Sequence, residues 1–141
     1  MSKVSVTADF DVSVDELWDL LGDFGDMNKW AGTDAGICTS EGEGVGALRT
    51  IVLPDGGEIV DRLEEETDLS YTYSIVTSPL PFSFYRATMT VSSLSDNTSR
   101  LVWSCDFEAK GLSESDATAF IENMYARGVA RMRQALDESA A

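Results

Sequence analysis

Hydrophobic and polar residues alternate along much of the chain, which is the pattern of strands that bury one face. This alternation, together with strand composition, predicts seven strands. The last six are joined by short connections rich in turn residues, such as Pro54 to Gly57, which leave no room for crossover helices. We therefore expect an antiparallel sheet. Its predicted strands are Val4–Phe10, Ile37–Glu41, Ala47–Leu53, Glu58–Glu66, Leu69–Thr77, Phe84–Ser93 and Arg100–Ala109.

Two short helices are predicted between the first and second strands. Ser13 can cap the first of them, and Glu16 stands three residues later as the return partner of a capping box. This helix should end near Leu21. A second helical piece is predicted at Asp26–Trp30, ending near Gly32.

The last predicted element is a long helix. Ser113 with Asp116 resembles a second capping box, and the helix of about 25 residues would be about 38 Å long. Acidic residues lie early, whereas Arg127, Arg131 and Arg133 lie late, as the helix dipole favours. Its apolar residues recur at three- and four-residue steps and form one stripe. The stripe consists of Ala117, Phe120, Ile121, Met124, Gly128, Val129, Met132 and Leu136.

These elements predict an α+β fold in a single domain spanning residues 1–141. A strongly twisted antiparallel sheet of seven strands would curl around the long helix. Where a curved sheet and a helix cannot close on each other, a cavity remains between them. The alternative is that the same apolar stripes form a fully packed core.

The inward faces of two predicted strands each carry a charged residue, Arg49 and Asp61. Alternate residues of a strand share a face, so these charges lie among apolar neighbours. A buried charge costs several kcal/mol unless it is paired or hydrated. Either Arg49 and Asp61 pair across neighbouring strands, or both lie at strand ends in water.

The composition excludes several classes of function. The chain of 141 residues carries 25 acidic and 10 basic residues, a net charge of −15, which we interpret as favouring solubility. Without clustered Lys and Arg, we expect no nucleic-acid partner. The absence of histidine removes His-based catalysis and the common zinc sites. The Glu64–Glu66 run with Asp68 is interpreted as a solvated turn, so no metal or cofactor is predicted.

The chain has no apolar run of about 18 residues and no signal-peptide pattern at its start, so we expect a cytoplasmic protein without a membrane span. Cys38 and Cys105 are then expected to be buried free thiols.

Short motifs follow one another from Gly44 to Trp103 in an order that resembles the bacterial polyketide cyclase/dehydrase family. This family belongs to the START-like, or SRPBCC, superfamily, which includes the birch-pollen allergen and the plant abscisic-acid receptors. Trp18 and Trp30 also stand at the expected places. One departure is Asp61, where family members more often have Glu, a longer acid. The motif residues are Gly44, Gly46, Arg49, Leu53 to Gly57, Asp61-Arg62-Leu63, Tyr71, Tyr73, Pro79-Leu80-Pro81, Tyr85 and Trp103.

The resemblance implies a helix-grip fold, in which a curved seven-stranded sheet surrounds the C-terminal helix and an apolar cavity lies between them. By position, the gate loop of the receptors corresponds to Leu53–Gly57 and their latch loop to Ser78–Phe82. Gly128 would leave room for a ligand or allow close packing. The implied and inward-facing ligand-binding residues are Trp30, Ile51, Leu53, Tyr71, Tyr73, Ile75, Leu80, Phe82, Tyr85, Ala87, Met89, Trp103, Cys105, Phe120, Met124 and Gly128.

The latch loop forms the first part of an unusual apolar, proline-bearing stretch from Ser78 to Tyr85. Its prolines stiffen the connection and remove ladder hydrogen bonds, so we expect it to stand off the sheet. Leu80 and Phe82 would then cover the mouth of the cavity. The alternative is a loop packed against the long helix with both side chains buried.

Three functions are compatible with this sequence. The first is a monomeric or homodimeric carrier or sensor that binds a small hydrophobic molecule, such as a lipid. The second is a polyketide cyclase or dehydratase, in which Asp61, Tyr73 or Tyr85 transfers protons. Arg49 would then polarise a carbonyl or hold an enolate. The third is a protein–protein module whose acidic surface meets a basic partner.

Overall fold

The computed structural model of the protein describes residues 1–31 and 36–140, the side chains of 138–140 excepted. Strand β1 is followed by two short helices, six further strands and a long helix. The predicted end of the second helix near Gly32 lies outside the described residues. The elements are β1 Ser2–Phe10, α1 Val14–Leu21, α2 Asn28–Ala31, β2 Ile37–Glu41, β3 Leu48–Val52, β4 Glu58–Thr67, β5 Ser70–Thr77, β6 Phe82–Ser95, β7 Thr98–Ala109 and α3 Glu114–Ala140.

The seven strands form one antiparallel sheet in the order β1-β7-β6-β5-β4-β3-β2, which confirms the predicted antiparallel arrangement. The pairing shifts register between Val60 and Asp61 and again between Phe82 and Phe84. Such bulges bend a strand and increase its twist, so they help the sheet to curve around α3.

Strand β6 begins two residues earlier than predicted, at Phe82. Pro81 has no N–H to donate, but its carbonyl accepts a hydrogen bond of 2.8 Å from the backbone N–H of Lys110. The pairing of β6 with β7 therefore continues to Phe82, opposite Ala109. The latch loop stands off the sheet only before this point.

The serine half of each predicted capping box is present. The backbone N–H of Glu16 donates to Ser13 Oγ at 3.2 Å, and that of Asp116 donates to Ser113 Oγ at 3.1 Å. Helix α3 then runs to Ala140, and no basic residue lies in its last turn. Its arginines are therefore too far from the C-terminus for the helix dipole to explain them, which corrects the sequence interpretation.

The core lies between the concave face of the sheet and the helices. α1 buries Leu17 and Leu21 completely, each worth about 1.5–3 kcal/mol. α3 packs on β1 and β7 and against α2, where Arg131 Nη1 donates to the carbonyl of Ala31 at 2.9 Å. Within residues 1–31 and 36–140, none of the helices has the length and apolar character needed to span a bilayer.

Candidate functional site

The concave face of the sheet and α3 enclose a cavity of about 380 Å³. This volume is at the small end of the range of about 300–1,000 Å³ that is usual for ligand pockets. Its wall is mostly apolar and aromatic, with a few charged and hydroxyl groups. The cavity is lined by Met27, Trp30, Ala31, Arg49, Ile51, Leu53, Ile59, Asp61, Tyr73, Ile75, Leu80, Tyr85, Met89, Trp103, Phe120, Met124, Arg127, Gly128 and Arg131.

A buried ion pair forms part of this wall. Arg49 and Asp61 are direct cross-strand partners on β3 and β4, and Arg49 Nε lies 2.9 Å from Asp61 Oδ2. Both side chains are only 3% exposed. The guanidinium also donates to the carbonyl of Phe24 at 3.2 Å and lies over the rings of Phe24 and Tyr73. Of the two alternatives that the sequence left open, the paired one is therefore confirmed.

Two fully buried side-chain polar atoms on the lining residues lack a hydrogen-bond partner among the described residues. They are the carboxylate oxygen Oδ1 of Asp61 and the indole nitrogen Nε1 of Trp30. An unsatisfied buried group costs about 1–3 kcal/mol, and such groups are rare in folded proteins. Burial also raises the pKa of Asp61, with the neighbouring Arg49 guanidinium working against that rise.

The tyrosine hydroxyls of the site are engaged with one another and with Trp103. Trp103 Nε1 donates to the Tyr73 hydroxyl at 3.3 Å, and the hydroxyls of Tyr85 and Tyr125 are hydrogen-bonded to each other. Burial raises the pKa of Tyr73 and of Tyr85, so both phenols stay neutral at physiological pH. They can donate or accept hydrogen bonds but are poor bases.

Gly128 allows close packing where α3 crosses the sheet. A Cβ atom at this position would lie 2.7 Å from the ring of Trp103 and 3.5 Å from that of Trp30. The two indole rings meet edge to face at this point, with centroids 6.0 Å apart. Of the two alternatives for Gly128, room for a ligand or close packing, the structure supports close packing, although Gly128 also borders the cavity.

The structure brings all but four of the predicted ligand-binding residues to the cavity wall, together with Arg49 and Asp61. Tyr71 is one exception, because the rings of Trp18 and Phe24 cover it and its hydroxyl reaches Met89 Sδ. Ala87 is another, because its short side chain is fully buried in the middle of the sheet.

The other two exceptions each lie beside an aromatic residue. Cys105 is a buried free thiol beside the hydroxyl of Tyr125, and neither residue is among the described lining residues. The ring of Phe82 packs against those of Tyr85, Phe107 and Phe120, at centroid distances of 5.7–5.9 Å. Cys38, like Cys105, is buried and free, as predicted.

The latch loop shows both predicted arrangements, since one of its residues borders the cavity and another packs against the long helix. Leu80 is half-buried and lines the cavity, whereas Phe82 is packed on Phe120 of α3. The gate and latch loops also meet, since a Cβ atom on Gly57 would lie 3.4 Å from Pro79 Cγ.

Sequence reasoning missed several residues of the site. Tyr125 is fully buried and stacks on Trp103 with centroids 4.0 Å apart. Its spacing of four residues from Ile121 was the available signal. The lining residues that were not among the predicted ligand-binding residues are Met27, Ala31, Ile59, Arg127 and Arg131, of which Ile59 was expected on an inward strand face.

The fold is the helix-grip fold of START-like proteins, as predicted. A START superfamily protein from Mycobacterium smegmatis has the same fold, with a TM-score of 0.78 at 11% identity over 96% of this chain and 97% of that one. XoxI from Bacillus cereus is 28% identical, with a TM-score of 0.87 over 100% of this chain and 99% of that one. An uncharacterised protein from Bacillus thuringiensis is also 28% identical, with a TM-score of 0.83 over 95% and 98%.

The sequence matches the family described as polyketide cyclase / dehydrase and lipid transport over residues 1–137, so the chain belongs to this family. No curated protein matches the chain significantly.

Proposed function

We propose that this protein binds a small, largely apolar molecule in the cavity between the sheet and α3, and acts as a carrier or sensor. The observation that carries the proposal is the cavity of about 380 Å³ with its mostly apolar wall. Burial of apolar ligand surface there contributes about 25 cal/mol per Å². The family's association with lipid transport supports the same ligand class.

We infer that a ligand is oriented by two buried polar groups of residues that line the cavity, which it would reach after a small movement of the wall. The unpartnered Trp30 Nε1 is a donor, and the unpartnered Asp61 Oδ1 is an acceptor when the carboxylate is ionised. A few placed polar groups in an apolar pocket are the usual source of specificity.

Decan-1-ol, a neutral apolar probe, is expected to bind at one saturable site and to change the fluorescence of Trp30 and Trp103. Met124→Phe adds a ring to the cavity wall and should weaken binding at least about tenfold, equivalent to about 1.4 kcal/mol. Asn123→Phe places the same ring on the exposed side of α3 and serves as the matched control. Absence of saturable binding, or equal weakening by both variants, would contradict the proposal.

The second candidate is a polyketide cyclase or dehydratase, and the observation that favours it is the buried Asp61 beside Arg49. Perturbed acids in clefts are candidates for proton transfer. Against it, the Tyr73 and Tyr85 hydroxyls are occupied by Trp103 and Tyr125 instead of being aimed at one reacting point.

A cyclase would lose turnover of a poly-β-ketone substrate in Asp61→Asn, about 100-fold or more if the carboxylate transfers the proton. Tyr85→Phe would lose less, since only a hydrogen-bond donor is removed. Circular dichroism checks that both variants are folded. Unchanged turnover in both variants rules out this candidate.

A further inference from the structure

The described part of the cavity wall has more basic than acidic residues, although the chain as a whole is strongly acidic. Among the described lining residues, the charged ones are three arginines and one aspartate, whereas the chain has a net charge of −15. Arg49 and Asp61 neutralise each other in the buried pair. The other two charged residues among the described lining residues are Arg127 and Arg131 of α3.

Arg127 differs from most basic residues of the described chain, which are ion-paired. Carboxylates lie within 4 Å of Lys3, Lys29, Arg49, Arg62, Arg86 and Arg100. Among the described residues, Arg127 has no such partner, although the chain contains 25 acidic residues. On α3, the residues three and four positions away from it are Asn123, Met124, Ala130 and Arg131, and none is acidic.

A second arginine lies one helical turn after Arg127. Arg131 lies four residues later on the same helical face, and like charges at this spacing destabilise a helix. Arg131 is held in place by its hydrogen bond to the carbonyl of Ala31.

The different exposure of the lining residues indicates how a ligand would be oriented in the cavity. Arg127 is the exposed member of the described wall, whereas Trp30, Tyr85 and Met89 are buried. A ligand with its apolar body among these side chains would place its other end beside Arg127. Guanidinium groups bind carboxylates through paired N–H···O hydrogen bonds, a geometry that ammonium groups do not offer.

We propose that the ligand is an amphipathic carboxylate, with its apolar body in the cavity and its carboxylate against Arg127 and Arg131. This inference rests on the proposed binding function and names its ligand class. The body must be small, because the cavity holds only about 380 Å³.

The test compares three ten-carbon probes below their micelle concentrations at pH 7.5: decanoate, decan-1-ol and decyltrimethylammonium. In the native protein, decanoate should bind about five- to tenfold more tightly than decan-1-ol, since partly exposed ion pairs are modest. The cation should bind most weakly. Isothermal titration calorimetry measures each affinity.

Arg127→Gln should bring the ratio of the decanoate and decan-1-ol affinities close to one. Arg133→Gln is the matched control, because it removes one charge from the same helix outside the described cavity wall. In Arg133→Gln, the ratio of the decanoate and decan-1-ol affinities should stay near the native value.

Three outcomes would overturn the inference. If decan-1-ol binds as tightly as decanoate, the binding function survives but the carboxylate assignment fails. If Arg133→Gln lowers the ratio as much as Arg127→Gln does, the preference reflects only long-range charge. If no probe binds, the proposed function fails as well.

Discussion

Replacing Arg49 with methionine is expected to lower the free energy of unfolding by about 3–5 kcal/mol, because the carboxylate of Asp61 is left buried without its cation. The carbonyl of Phe24 also loses a charged donor. Urea denaturation followed by tryptophan fluorescence measures the change.

The exposed pair between Arg100 and Asp9 provides the control. Its N···O distance is 2.7 Å, comparable with that of the buried pair, but both side chains are more than 40% exposed. Arg100→Met should therefore cost less than about 1 kcal/mol. The double variant Arg49→Met/Asp61→Leu should recover most of the loss, because no unpaired charge remains. Equal costs for Arg49→Met and Arg100→Met would contradict burial of the pair.

The free energy of unfolding of the Arg49→Met variant should also depend on pH more steeply than that of the native protein. Burial already raises the pKa of Asp61, and loss of the opposing guanidinium raises it further. A folded pKa above the unfolded one means that the folded state binds more protons over this range. The stabilisation by protonation is complete below the unfolded pKa, about 4, and is lost as the pH rises through the folded pKa. The free energies of unfolding of the variant and the native protein should therefore be closest near pH 4.

The fold was predictable because the alternation has a period of two and the connections are short. The start of β6 was placed too late because prolines are read as interruptions of a strand. The sequence cannot show that the carbonyl of Pro81 still accepts from Lys110 and extends the pairing.

The cavity wall was less predictable than the sheet, because sharing a face does not mean reaching the same depth. Tyr71 and Tyr73 both point inward, but α1 covers Tyr71 while Tyr73 reaches the cavity. That difference depends on how α1, which is distant from β5 in the sequence, packs on the sheet.

The pairing of Arg49 with Asp61 was partly predictable. The two residues become direct partners because the loop between β3 and β4 closes with the Leu53 N–H donating to the Gly57 carbonyl. Turn residues indicated the loop, but the register depends on its hydrogen bond.

The lining arginines of α3 were overlooked for a different reason. Arg127 and Arg131 each follow a residue of the predicted stripe, Met124 and Gly128, by three positions. Charged residues were read as solvated and explained by the helix dipole. A helix that borders a cavity can instead turn part of its polar edge inward.

Tyr125→Ala is expected to lower the free energy of unfolding by about 3–5 kcal/mol, the usual cost of removing a large buried aromatic side chain. Tyr125→Phe keeps the ring stacked on Trp103 but leaves the buried hydroxyl of Tyr85 without its partner, for about 1–3 kcal/mol. Phe84→Ala, at an exposed aromatic side chain, is the control and should cost less than either. Chemical denaturation of the three variants tests this order.

Tyr125 also bears on ligand binding, because it supports two side chains of the cavity wall. Trp103 stacks on its ring and Tyr85 shares its hydroxyl hydrogen bond, and both line the cavity. Removing the Tyr125 ring would give them space to retreat, so Tyr125→Ala should accept longer alcohols than the native protein does. Dodecan-1-ol should gain affinity relative to decan-1-ol in Tyr125→Ala and not in Tyr125→Phe. An unchanged preference in both variants would show that the ring behind the wall does not limit ligand size.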